Sequence, residues 1–144
     1  MKIFLAPKFD DTLAGATAIR IVSMKKLRVM IVEDDALIAS LLGELIEALG
    51  HQVCAIESSE RGAVAAARRF RPDLMIVDAH LQDGSGIGAV EAITDTAPVP
   101  HIYVTGDAKA VRIRKPEATV LQKPYFELDL VTAILSALAT VLPA

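Results

Sequence analysis

From Leu27 onward, apolar positions follow two alternating rhythms. Short runs rich in valine and isoleucine occur at Leu27–Val32, Val53–Ile56, Leu74–Val77, Ile102–Val104 and Thr119–Leu121. Such near-continuous apolar runs predict strands buried on both faces. Between them, Ala36–Leu49, Glu60–Phe70, Ile87–Thr96 and a shorter piece near Asp107–Arg114 carry helical spacing, and a final helical segment runs from Glu127 to about Val141. Gly50 after the first helix and Pro72 after the second mark helix ends. Regular strand–helix alternation predicts an α/β fold, with helices on both faces of a parallel sheet because crossovers are right-handed. Five strands and five helices fit residues 25–142, without internal repeats or low-complexity tracts.

Residues 1–23 read differently, with short apolar pieces, an acidic pair and scattered alanine and glycine. They are expected to be an N-terminal extension, either a loosely held tail ahead of an alternative start at Met24 or an element docking on the domain or a partner. The patterned domain is expected to span 24–144.

Composition narrows the class. A chain of 144 residues with 53% hydrophobic and 23% charged residues suits one globular domain with a working core. A net charge of −3 gives no electrostatic footprint for nucleic acid. Cys54 is the only cysteine, so no internal disulfide forms, as fits a reducing cytoplasm. No apolar run approaches a membrane span, and Ile3–Ala6 is cut off by Pro7, Lys8, Asp10 and Asp11, which argues against a secretory signal.

The chemistry lies where the apolar runs stop. The first run ends in Glu33-Asp34-Asp35, the third in Asp78, the fourth in Thr105 and the fifth in Lys123-Pro124. In a parallel sheet these ends share one edge, where open α/β proteins place their ligand sites. Glu33, Asp34 and Asp78 would repel one another there. A hard divalent cation relieves that repulsion, and Mg²⁺ fits a site that also holds phosphate. Lys123 supplies a point charge and Thr105 a hydroxyl for phosphoryl oxygens, leaving Asp78 as the nucleophile that forms an acyl phosphate. Taken singly, each residue has a plainer role: Asp34 or Asp35 could cap the helix at Ala36, Asp78 could sit in a turn, Thr105 could cap the next helix, and Lys123 could be a surface residue. The order at four strand ends outweighs those readings.

Val29-Met30-Ile31-Val32-Glu33-Asp34-Asp35, Leu74-Met75-Ile76-Val77-Asp78, Val104-Thr105-Gly106 and Lys123-Pro124 together resemble the response-regulator receiver family, over about residues 27–142. The resemblance implies a doubly wound, flavodoxin-like five-stranded parallel sheet of order 2-1-3-4-5 with five helices. It also implies Asp78 as phosphoacceptor, Asp34 as a direct Mg²⁺ ligand, Glu33 acting through water, and the backbone carbonyl of His80 as a further ligand. Thr105 and Lys123 would be the switch hydroxyl and the phosphate-binding lysine, and the Lys123–Pro124 bond is often cis in the family. The implied donor is a histidine kinase or histidine phosphotransfer protein. The phosphorylated form would signal through a conformational switch.

The sequence departs from the family pattern in places. Val120 stands where many receivers carry an aromatic switch residue, whereas Tyr103 lies two residues before Thr105. Pro100-His101-Ile102-Tyr103-Val104-Thr105-Gly106 partly resembles the P-F-x-F-A-T-G motif of a single-domain subgroup associated with stress signalling. Tyr103 could be a plain core aromatic or a switch. Gln82 replaces a common proline, and the short Thr105–Lys123 segment predicts a stunted fourth helix.

Other readings fit less well. Gly84-Ser85-Gly86-Ile87-Gly88-Ala89 matches a dinucleotide fingerprint formally, but no acid ends the following strand. An aspartyl phosphatase would want an acid at His80. His51, His80 and His101 lack metal-ligand spacing. A pseudo-receiver acting as a phosphorylation-independent binding module is the alternative that keeps the fold.

With no second domain expected, output would be a downstream protein contact or a phosphate relay. Lys109, Arg112, Arg114 and Lys115 form a basic cluster. The last helix bears no charge after Asp129, and is expected to be covered on more than one side, by a homodimer partner, another protein or the N-terminal extension.

Overall fold

The computed structural model describes residues 25–140, so the expectations for residues 1–23 lie outside the described residues. The strands are β1 (Arg28–Val32), β2 (Gln52–Glu57), β3 (Leu74–Asp78), β4 (His101–Thr105) and β5 (Thr119–Gln122). The helices are α1 (Ala36–Ala48), α2 (Glu60–Phe70), α3 (Gly86–Thr94), α4 (Ala108–Arg114) and α5 (Glu127–Ala139). Every strand pairing within the sheet is parallel, and the sheet order is β2-β1-β3-β4-β5. Fold class and strand order are as expected.

Strand residues alternate between two cores, as the two-residue period requires. Val29, Ile31, Leu74, Ile76, Ile102 and Val104 face Leu42 and Ile46 of α1 and Leu130 and Ile134 of α5. Met30, Val32, Met75, Val77 and Tyr103 face Ala63 and Ala67 of α2, Ile87 and Val90 of α3 and Val111 of α4. Burial on both faces is what made the three central strands read as unbroken apolar runs.

Local chemistry sets the helix ends. Asp35 caps α1 through Leu37 and Ile38 N–H groups, Ser59 caps α2 through Gly62, and Ser85 caps α3 through Gly88. α4 has seven residues and is short, as the compact segment predicted; Asp107 caps it, so Thr105 does not. α5 is covered on one face only among the described residues. Its outer stripe is Leu128, Thr132, Ser136 and Ala139, while Leu130, Ala133, Ile134 and Ala137 are buried. The absence of charge had hidden this division, because threonine, serine and alanine are neutral yet tolerate water. No helix among the described residues is long and apolar enough to cross a membrane.

The chain leaves β1 toward one side of the sheet for β2 and returns to the other side for β3. That reversal between neighbouring strands opens a crevice at their C-terminal ends.

Candidate functional site

β1 and β3 deliver acids to the two sides of this crevice. One carboxylate oxygen from each of Glu33, Asp34 and Asp78 lies within 4.8 Å of the others. Asp35 is not among them. Its Oδ1 accepts the Leu37 and Ile38 N–H groups, so capping and crevice roles are divided between neighbouring aspartates.

Glu33 is the most enclosed of the three, with 6% of its side chain exposed. Its Oε2 accepts the Asp35 N–H at 3.1 Å and its Oε1 faces Lys123 Nζ at 3.2 Å. Burial, helped by the nearby Asp78 charge, raises its carboxyl above the ordinary value, against the Asp35 and Lys123 hydrogen bonds. Asp34 Oδ2 accepts the Gln82 N–H at 2.7 Å, tying β1 to the loop after β3.

Both oxygens of Asp78 are engaged. Oδ1 accepts the His80 N–H at 2.9 Å, and Oδ2 accepts from Lys123 Nζ at 3.0 Å. Gly86 packs so closely behind Asp78 that a Cβ there would overlap the Asp78 carbonyl oxygen. Burial alone would lower the Lys123 ammonium, but its hydrogen bonds and attraction to Asp78 and Glu33 outweigh that and raise it. Lys123 is thus a firmly protonated cation set between two acids. The bond that follows it, Lys123–Pro124, is cis, as the resemblance implied.

Thr105 ends β4 one residue beyond the register partner of Asp78, and is 1% exposed. Its hydroxyl oxygen accepts the Asp107 N–H at 3.0 Å, and its carbonyl accepts the Lys123 N–H at 2.8 Å. All five side chains expected at the crevice therefore lie at its strand ends. The His80 imidazole is exposed. His51 is buried and accepts the Leu27 N–H on Nδ1; His101 Nδ1 contacts the Val99 carbonyl at 2.8 Å.

Tyr103 is a core side chain, 1% exposed, edge-on to His101 and beside Val120 on β5. Burial, then the Glu91 charge, pushes its phenol up to about 12.

Sequence reasoning missed Gln122. Its Oε1 accepts the Ala108 N–H at 2.9 Å, and its Nε2 donates to the carbonyls of Gly106 at 2.7 Å and Lys123 at 3.0 Å. One side chain thus ties the loop after Thr105 to the end of β5. The available signal was a polar residue between an apolar run and Lys123. Glu60 was also missed. Its Oε1 accepts the Ser85 N–H at 2.8 Å amid the glycines of the fingerprint-like segment, so a protein carboxylate holds that turn.

An open apolar groove of about 570 Å³ leads away from Asp78 and Lys123, walled by Ile38, Leu41 and Leu42 of α1 and by Pro124 and Tyr125. Leu37 and Leu41 on α1 are more than half exposed, and Phe126 beyond Tyr125 is 81% exposed.

The family model described as "Response regulator receiver domain" matches residues 29–135. The phyllosphere-induced regulator PhyR of Methylorubrum extorquens is 35% identical over 111 residues, covering 75% of this chain and 42% of the relative. The transcriptional regulatory protein PdtaR of Mycobacterium tuberculosis is 29% identical, over 74% of this chain and 54% of the relative. The solution structure of the REC domain of Erythrobacter litoralis PhyR superposes with a TM-score of 0.76 at 29% identity, covering 85% of this chain and 98% of that one. The anti-anti-sigma factor PhyR of Bartonella quintana gives 0.76 at 30% identity, over 94% of this chain and 56% of that one. The chain spans roughly a third to a half of the length of the curated relatives it matches.

Proposed function

The chain belongs to the response regulator receiver domain family, and from that premise we propose that Asp78 accepts a phosphoryl group and thereby switches the domain. The observation that carries this reading is the Asp78–Lys123 contact inside a crevice shared with Glu33 and Asp34.

An Asp78 carboxylate oxygen attacks the phosphorus of a phosphohistidine on a histidine kinase or phosphotransfer protein. The new O–P bond forms as the P–N bond breaks, and the imidazole leaves with the electron pair. The His80 N–H on Oδ1 and Lys123 on Oδ2 fix the plane of the attacking carboxylate, which limits the orientational cost. Lys123 then exchanges a carboxylate oxygen for a phosphoryl oxygen, a charge-assisted bond in either state. The Thr105 hydroxyl donates to another phosphoryl oxygen. Because its oxygen holds the Asp107 N–H, that rotation acts on the loop that opens α4. Water attacking phosphorus breaks the acyl O–P bond, releases phosphate and restores Asp78.

Three carboxylates against a single lysine fit a hard divalent cation, since every side-chain donor in the cluster is oxygen. We assign Mg²⁺ to Asp34, Asp78 and the His80 backbone carbonyl, with Glu33 acting through water. When bound, it offsets the acids and the incoming phosphoryl charge.

The apolar walls beside the acids support a protein donor over a small molecule alone, because a helix docking there would cover Ile38 and Leu41. Likeness to a PhyR structure described as a stress response regulator supports a place in stress signalling, with output through contact with a downstream protein in the cytoplasm. The receiver is assigned to residues 24–144, with 1–23 as an extension.

Borohydride reduction tests the reading. After treatment with Mg²⁺ and acetyl phosphate, an acyl phosphate at Asp78 is reduced to homoserine, detected in the peptide containing residue 78. An unmodified Asp78 in a labelled protein would move the site elsewhere, and no labelling from either small or protein donors would favour the pseudo-receiver.

A further inference from the structure

Glu60 opens α2, yet its side chain turns away and fills the turn into α3. Oε1 accepts the Ser85 N–H at 2.8 Å, and the Glu60 N–H donates to the Asp83 carbonyl at 3.2 Å. Two glycines leave it room. A Cβ on Gly84 would stand 2.5 Å from Glu60 Cβ, and one on Gly88 would stand 2.9 Å from Oε2. Gly84 also has φ +93°, a backbone state that other residues rarely adopt. The glycine spacing that imitates a nucleotide fingerprint is a fitted seat for an internal carboxylate. That carboxylate lies where such a turn would otherwise offer N–H groups to a phosphate.

The same loop is fastened at its other end to the acids. The His80 N–H bonds Asp78 and the Gln82 N–H bonds Asp34. His80 and Ser85 face each other in an isolated antiparallel bridge. Glu60 therefore holds one side of that bridge while Asp78 holds the other.

We propose that Glu60 is a positioning residue for the cation site: by fixing Ser85 it fixes His80 across the bridge, and with it the backbone groups presented to Asp78 and Asp34. This rests on the reading of the crevice as a Mg²⁺ site. Outer-shell groups of this kind change metal affinity about tenfold or more when removed.

The test compares Glu60→Ala and Glu60→Gln in the full chain, by backbone amide spectra without metal and during titration with Mg²⁺. Glu60→Ala is expected to shift the His80 and Gln82 amides in the metal-free protein and to weaken Mg²⁺ binding about tenfold. Glu60→Gln keeps an acceptor for Ser85 and is expected to bind Mg²⁺ within about twofold of wild type. Ile134→Val, in the core beneath α5, serves as a destabilised control and is expected to lower the melting temperature while leaving Mg²⁺ affinity unchanged. A Glu60→Ala protein that binds Mg²⁺ like wild type, or whose His80 and Gln82 amides do not move, overturns the proposal. If wild type itself shows no Mg²⁺ response, the cation reading fails separately, and the metal-free His80 and Gln82 amides alone decide the role of Glu60.

Discussion

Lys123 is the residue on which the crevice depends electrostatically. It bonds Asp78 and Glu33 together, and Glu33 is nearly out of solvent. Without it, three acids face one another with no cation among the side chains at the crevice. Lys123→Ala is expected to lower stability in urea by roughly 1–2 kcal/mol in metal-free buffer, the scale of a charged hydrogen bond discounted for partial exposure. It should also lose phosphoryl transfer at Asp78. His51 offers a pH test away from the site. Its Nδ1 is an acceptor, so the buried ring must be neutral, and burial lowers it from 6.5. A base depressed in the folded state adds stability above its unfolded value and loses it as pH falls through the folded one. The melting temperature of wild type is expected to fall more between pH 7 and pH 5 than that of His51→Gln. At this scale the sequence identified the acids, Thr105 and Lys123, because polar residues ending buried apolar runs stand out. Capping alone left Asp34 and Asp35 undivided, since it depends on which carboxylate faces the helix; only the family resemblance set Asp34 apart. Glu60 gave no signal at all, because its partners lie 25 residues away in a loop.

Among the elements, α1 and α4 carry the most consequence. Leu41 of α1 borders the groove to Asp78, and the short α4, proposed as the outlet of the switch, is held by Asp107 and by Gln122 from β5. If a donor helix seats in the groove, Leu41→Ser should slow transfer from a phosphohistidine protein about tenfold, one buried apolar contact's worth, and leave acetyl phosphate labelling unchanged. Equal slowing from both donors would place the defect in the crevice. For α5, exposed apolar surface is concentrated at Phe126 and Leu128. We propose contact with a second copy there, so sedimentation is expected to detect a dimer that Phe126→Ser/Leu128→Ser weakens. Element type and order were legible from apolar rhythm. Boundaries moved by a residue or two, as at β2, which starts at Gln52 rather than Val53 because an edge strand continues into exposed residues.

For the whole molecule, fold and charge combine into one thermodynamic expectation. A cation that binds the folded crevice and not the unfolded chain stabilises by mass action, about 2.7 kcal/mol at a hundredfold excess over its dissociation constant. Mg²⁺ is expected to raise the melting temperature of wild type, and Asp34→Asn to blunt that rise. The sheet reversal between β1 and β3 makes such a site possible, by bringing Glu33 and Asp78, 45 positions apart, to one edge. The central claim is phosphoryl acceptance at Asp78, and it is tested most directly by intact mass after incubation with acetyl phosphate. Wild type is expected to gain one phosphoryl group only when Mg²⁺ is present, and Asp78→Asn to gain none. A wild-type mass that never changes, or a gain of equal size in Asp78→Asn, would contradict the account.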